Sequence, residues 1–418
     1  MNLIEKAVRF LEYGDVEKGL SQLEKLSQSV NDEEKFFIAH SYYQFGFIEE
    51  ARNLANILLE RYPAESEILL LLAEIYIDLD DEEEAIQLLG RVSGTDSEYP
   101  RALILLADLY QMQGLDEVAE QKLLQAKTLK PGNPIIMFAL GEFYSGRGNY
   151  RQSIPYYEAV LKDQKKIGEI NVHLRLAECY TAVGRFEEAF TQYETGLEEQ
   201  IEIDSLFGFA CAAYQAEKYK TAIQKLLDLK DLDPQYTPLY LVLGKAYEAE
   251  ELLDEAMKTV VEGLKLDDYN KELLIFGGKL SMKLGDVEKG KQLLESAYEL
   301  DNESLEASYL LTRIYMKEES YDKVVPFVEK AIENGDEDPQ MIWDLATAKK
   351  ELEEYSDALN HYRSAYTFFK DKADFLEEYG RFLIDEGLIK EAINVFEEII
   401  KMDQTRYDIE EMLLQLKI

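Results

Sequence analysis

Apolar residues recur three and four positions apart along almost the whole chain, in runs of ten to fourteen, with charged residues filling the gaps between them. That spacing predicts amphipathic helices and leaves no alternating stretch that reads as a strand. The runs come in pairs with a short turn inside each pair. One small residue near the start of the second run marks the period: Gly19, Ala51, Ala85, Ala119, Ser153, Ala189, Ala222, Ala256, Gly290, Val324, Ala358 and Ala392. Neighbours in this series stand 32 to 36 residues apart, most of them 34, so twelve copies of one helix pair are predicted.

Further columns fall into the same phase. Small residues stand twelve positions earlier at Ala39, Ala73, Ala107, Gly141, Ala177, Gly244, Gly278, Ala346 and Gly380. Tyrosine follows three residues on, at Tyr42, Tyr76, Tyr110, Tyr144, Tyr180, Tyr247 and Tyr315, and glycine four beyond that, at Gly46, Gly114, Gly148, Gly184, Gly285 and Gly387. In the seventh repeat Cys211 and Tyr214 take the small and aromatic places, with a turn one residue shorter. Two antiparallel helices approach within about 8–10 Å only where the contact points are small. Glycine supplies the positive φ that ends the first helix, and Pro63, Pro131 and Pro234 stop the second. A pair alone cannot bury its apolar face, so neighbouring pairs must stack.

These columns resemble the tetratricopeptide-repeat family over practically the whole chain. The resemblance implies an all-α solenoid of about twelve helix pairs in a right-handed superhelix, with the first helix of each pair lining an inner groove that grips peptides or partner domains. Residues 1–404 form the repeat array and 405–418 a capping helix. The longest insertion, LKDQKKIGEI, predicts a bend near 162–170. Thr312 and Val324 in the tenth repeat and Lys349 in the eleventh depart from the pattern and predict looser packing there.

Composition narrows the function. With 84 acidic against 45 basic residues the net charge is -39, which repels nucleic acid and anionic membranes. No run reaches the roughly 18 apolar residues of a spanning helix, and the N-terminal residues carry no signal pattern, so a cytoplasmic chain is expected. Much of the acidity sits in first turns of second helices, at Glu49 and Glu50, Glu187 and Glu188, or Asp254 and Glu255, where the helix dipole favours it. His40, His173 and His361 share no repeat position and no metal-ligand spacing. Cys179 and Cys211 form no CxxC motif; buried thiols are the expectation, a disulfide the alternative. No catalytic set, cofactor or metal site is expected.

The resemblance places specificity on the first helices. The position after the first small residue reads His40, Glu74, Asp108, Glu142, Glu178, Ala212, Lys245, Lys279, Arg313, Thr347 and Arg381: acid early, base late. Lys283, Lys317 and Lys350 lie three or four residues further on the same faces, interleaved with Tyr309, Met316 and Trp343. This combination predicts that the C-terminal half of the groove binds a protein or peptide through an acidic segment. Leu70, Glu74, Ile104 and Asp108 stand where relatives that grip chaperone tails carry a lysine and asparagine clamp, so that ligand is not predicted. The leading expectation is an adaptor or scaffold; the alternative is a sensor that changes superhelical shape around a signalling peptide.

Overall fold

A computed structural model describes residues 3–335 and 338–417. The chain divides into two compact units, Met1–Ala212 and Ala213–Ile418. The first holds α1 (Leu3–Glu12), α2 (Val16–Ser27), α3 (Asp32–Gln44), α4 (Ile48–Arg61), α5 (Ser66–Asp78), α6 (Glu82–Gly90), α7 (Tyr99–Met112), α8 (Asp116–Leu129), α9 (Pro134–Gly146), α10 (Tyr150–Val160), a hairpin of β1 (Lys166–Ile167) and β2 (Ile170–Asn171), α11 (Val172–Ala182), α12 (Phe186–Glu199) and most of α13 (Ile203–Gln215). The second continues with α14 (Tyr219–Leu232), α15 (Pro238–Ala249), α16 (Leu253–Leu266), α17 (Lys271–Lys283), α18 (Val287–Leu300), α19 (Leu305–Lys317), α20 (Tyr321–Glu333), α21 (Pro339–Glu351), α22 (Tyr355–Phe369), α23 (Ala373–Asp385), α24 (Ile389–Met402) and α25 (Tyr407–Leu416).

From α1 to α24, odd-numbered helices are the first members of the pairs and even-numbered helices the second. Every residue of the small column in the second helices is buried, from Gly19 to Ala392. The close approach is physical at Gly141 and Gly380: a Cβ at the former would sit 2.7 Å from the Tyr157 ring, and at the latter 2.6 Å from that of Phe396. Both rings are fully buried, so they occupy the space the missing side chains leave. Hydroxyls of the tyrosine column reach neighbouring second helices, as Tyr144 Oη donates to Glu120 at 2.5 Å and Tyr180 Oη to Glu158 at 2.6 Å.

Each turn inside a pair contains one residue with positive φ. Glycine takes the place at Gly14, Gly46, Gly114, Gly148, Gly184, Gly285 and Gly387, whereas Asp80, Glu217, Glu251, Glu319 and Glu353 adopt it at φ 58–64° without being glycine. The seventh repeat is corrected by this geometry. Glu217 is its positive-φ residue and Lys218 N donates to Ala213 O at 2.8 Å, matching the bond from Leu252 N to Tyr247 O in the next repeat. Ala210 and Ala213, both fully buried, therefore hold the small and aromatic columns, not Cys211 and Tyr214, and the turn has the usual length. The insertion between the fifth and sixth repeats is ordered as the β1–β2 hairpin, with Gly168 (φ 59°) in its turn and buried Asn171 donating to Gly196 O at 3.2 Å.

At the C-terminal end α25 packs Ile409 and Leu413 into the core shared with α22, α23 and α24. Lys349, in the tyrosine column, is 6% exposed; its ammonium lies 2.8 Å from Glu329, 3.0 Å from Glu354 and 3.8 Å from Asp357. Three carboxylates thus replace the packing of a tyrosine. Thr312 is also fully buried, and its Oγ1 has no hydrogen-bond partner among the described residues.

Candidate functional site

First helices of adjoining repeats touch where α3 meets α5, α15 meets α17 and α19 meets α21, and side chains bridge α5 to α7, α9 to α11, α17 to α19 and α21 to α23, so residues at one helical position form a row. In the N-terminal unit that row is acidic. Glu74 receives Arg101 at 2.6 Å. Arg175 stands between Glu142, at 3.7 Å, and Glu178, at 3.3 Å, while the buried Tyr157 hydroxyl donates to Glu142 at 2.5 Å. Burial pushes the Glu178 carboxyl upward against the pull of Arg175. Asp108 meets solvent yet is surrounded by protein atoms, which raises its carboxyl to about 6. With the seventh repeat in its corrected register the row ends at Cys211 instead of Ala212. Cys179 and Cys211 are both free thiols, and burial pushes the second up to about 11.

In the C-terminal unit the predicted cations line the first helices, and most already have acidic neighbours. Lys279 on α17 pairs with Glu306 of α19, and Lys283 reaches back to Glu248 of α15 at 2.5 Å. Arg381 pairs with Glu377, one turn earlier on α23, at 2.8 Å. The Arg313 guanidinium lies over the Tyr309 ring at 5.9 Å. Lys245 is half-buried and Lys317 exposed, and neither has an ion pair among the described residues. Tyr309 and Met316 are half-buried against the core around α19.

Trp343 and Lys350 of α21 converge on a residue outside the predicted set, Glu378 of α23. Its Oε2 accepts from Trp343 Nε1 at 3.0 Å, and its Oε1 from Thr347 Oγ1 at 2.7 Å and Tyr362 Oη at 2.6 Å; the Lys350 ammonium lies 3.9 Å away. Burial and this carboxylate both push the Tyr362 hydroxyl upward, keeping it a donor. The indole also meets Phe375 edge-on at 5.2 Å and carries the Lys372 ammonium at 4.7 Å. The spacing of these acidic partners is uneven: Glu248 and Lys283 stand 35 residues apart, close to one period, whereas Lys279 and Glu306 stand 27 apart.

Among the described residues no group of three or more His, Cys, Asp or Glu side chains is arranged to hold a metal ion, and no helix is long and apolar enough to cross a membrane. Each unit is a series of stacked helix pairs with charged and aromatic faces, the architecture of the tetratricopeptide-repeat class. Residues 42–109 match the tetratricopeptide repeat, residues 111–165 the YpiA-like tetratricopeptide repeats, and residues 339–404 the YpiA-like C-terminal tetratricopeptide repeats. The TPR repeat-containing protein YpiA of Bacillus subtilis (strain 168) is 43% identical over 415 residues, covering 99% of this chain and 98% of the relative. The chain belongs to the YpiA-like tetratricopeptide-repeat family. Anaphase-promoting complex subunit 3 of Dictyostelium discoideum is 34% identical over 68 residues, 16% of this chain and 7% of that one. Among solved structures, a tetratricopeptide-repeat protein from Parabacteroides merdae is similar over 60% of this chain and 98% of its own, with 16% identity and a TM-score of 0.43.

Proposed function

We propose that this chain is a non-catalytic protein-interaction scaffold that holds partner segments against the faces of its first helices, and that the face in the C-terminal unit takes an acidic segment. One observation supports this above the others: in a chain of net charge -39, Lys245, Lys279, Lys283, Arg313, Lys317 and Arg381 share one series of helix faces with Tyr309, Met316 and Trp343. Their acidic neighbours do not close the face to a partner. Lys279, Lys283 and Arg381 are exposed, and exposed ion pairs contribute about 0–1 kcal/mol, so a partner carboxylate that brings its own apolar contacts can exchange with them. Half-buried aromatic side chains supply those contacts.

The test is an affinity pull-down from lysate of the source cells, read by mass spectrometry, beside a variant with Lys245, Lys279, Arg313 and Arg381 all changed to glutamate. Circular dichroism confirms that the variant is folded. Partners held by the native chain and lost by the variant are the expected result. Identical recovery by both chains refutes the cationic face as the docking surface, and recovery of nothing by the native chain refutes the scaffold itself.

A further inference from the structure

A second docking feature lies in the N-terminal unit, where α3, the end of α4 and the start of α5 enclose a cavity of about 290 Å³. Its apolar lining comes from Leu58 and Ile68, 1% and 4% exposed, together with Phe36 and Tyr62. Four carboxylates stand around it: Asp32, Glu33, Glu65 and Glu67. Asp32 is taken up by Lys35 at 3.0 Å and Arg61 at 2.8 Å, which hold its carboxyl down to about 2. The other three carry no ion pair among the described residues and are exposed.

We infer that this cavity is an anchor pocket for a partner segment that inserts an apolar side chain flanked by lysine or arginine. This deepens the scaffold reading and rests on it. An open apolar hollow stays in contact with water until something fills it, and an aliphatic side chain placed there is stabilised in proportion to the apolar area removed from water. The rim selects what accompanies that side chain. Four acids outnumber the two cations, which both pair with Asp32, and each of the two helix N-termini beside the pocket offsets only about half a charge. The long-range field of a chain with net charge -39 has the same sign and speeds the approach of a basic segment. An acidic or phosphorylated segment meets repulsion both at the rim and at a distance. Tyr62, 47% exposed, and Phe36 also present aromatic faces on which a flanking guanidinium or ammonium can rest.

Binding is measured by fluorescence anisotropy with a fluorescein-labelled synthetic peptide of alternating leucine and lysine, and located by the Ile68 methyl resonance in a selectively labelled full chain. Saturable binding that moves the Ile68 methyl is expected. Glu33→Lys combined with Glu67→Lys, both exposed positions, should weaken it at least tenfold, and a peptide with serine in place of leucine should lose it. The quadruple glutamate variant of the C-terminal unit should bind the peptide like the native chain, which separates this pocket from the cationic face. The inference is overturned by absence of saturable binding, by binding that leaves the Ile68 methyl unmoved, or by equal affinity in the Glu33→Lys, Glu67→Lys variant.

Discussion

Glu378→Gln removes the charge at the point where three donors of the C-terminal unit meet, with almost no change in volume. The remaining carbonyl oxygen can keep the bonds from Thr347 and Tyr362, now 2.7 and 2.6 Å long, but the new amide then turns its own N–H groups toward Trp343 Nε1. Hydrogen bonds to a charged group contribute about 1.5–3 kcal/mol and neutral ones about 1. Losing the indole bond and weakening the other two should cost roughly 2–3 kcal/mol, because the half-buried indole recovers part of the loss from water. Trp343 is the only tryptophan in the chain, so its fluorescence follows this region without a label. With a urea m-value of about 1–3 kcal/mol/M, the midpoint seen by tryptophan emission should fall by about 1 M or more. Tyr362→Phe adds the second edge of a double-mutant cycle: its cost should be smaller by about 1 kcal/mol in the Gln background. A midpoint shift of less than about 0.2 M, or strict additivity of the two changes, refutes Glu378 as the node that joins α21, α22 and α23.

Three further outcomes follow from the packing and charge. Gly380→Ala gains up to about 1 kcal/mol of helix propensity but forces a methyl to 2.6 Å from the Phe396 ring, where overpacking costs about 1–3 kcal/mol; its melting temperature should fall, while Gly90→Ala, with nothing within 4 Å, should leave it unchanged or raise it. Lys349→Met leaves Glu329, Glu354 and Asp357 to repel one another and should lower the urea midpoint at pH 7 more than at pH 4. Because the folded chain raises the Lys349 pKa, the stability it adds is complete below the ordinary lysine range and is lost as pH rises beyond it. Asp108 is raised to about 6, so the folded chain holds its proton more tightly than the unfolded chain and stability falls as pH rises from about 4 to 6. Asp108→Asn should therefore stabilise the chain at pH 7 and not at pH 4, and carboxyl NMR of the native protein should show a midpoint near 6.

The fold was legible because helix crossings tolerate so few side chains. A small residue every 34 positions is a steric requirement, and it stayed readable even where Ser153 or Val324 replaced alanine. The seventh repeat was misread by one residue for the complementary reason: the turn requires a positive φ, not a glycine, and Glu217 adopts it at an expected cost of about 1–2 kcal/mol. With no glycine to fix the turn, Tyr214 drew the alignment away from Ala213. The β1–β2 hairpin escaped the reading because two-residue strands leave no alternating pattern. Lys349 was legible as a departure but not as a satisfied one, since Glu329 and Asp357 come from the adjoining second helices and Glu354 stands at the N-cap of the second of them.

The cationic positions are legible in the sequence as a periodic series, and their acidic neighbours are not. Sequence position says that Lys279 follows Gly278; it does not say that Glu306 comes to meet it. The same holds for Lys283 with Glu248 and for Trp343 with Glu378, where the partners lie 35 residues apart. Each of these contacts joins neighbouring first helices, so the side chains proposed to meet a partner also tie one repeat to the next. An acidic segment that took over Lys279 and Lys283 would release Glu306 and Glu248 to water, and Coulomb attraction at an exposed site returns little more than it gives up. Charge in that unit should therefore govern how fast and in which register a segment arrives, while its hold depends on the apolar area it covers around Tyr309, Met316 and Trp343. A partner for this face needs apolar side chains between its acids, and a polyglutamate peptide without them should bind weakly and be released by moderate salt.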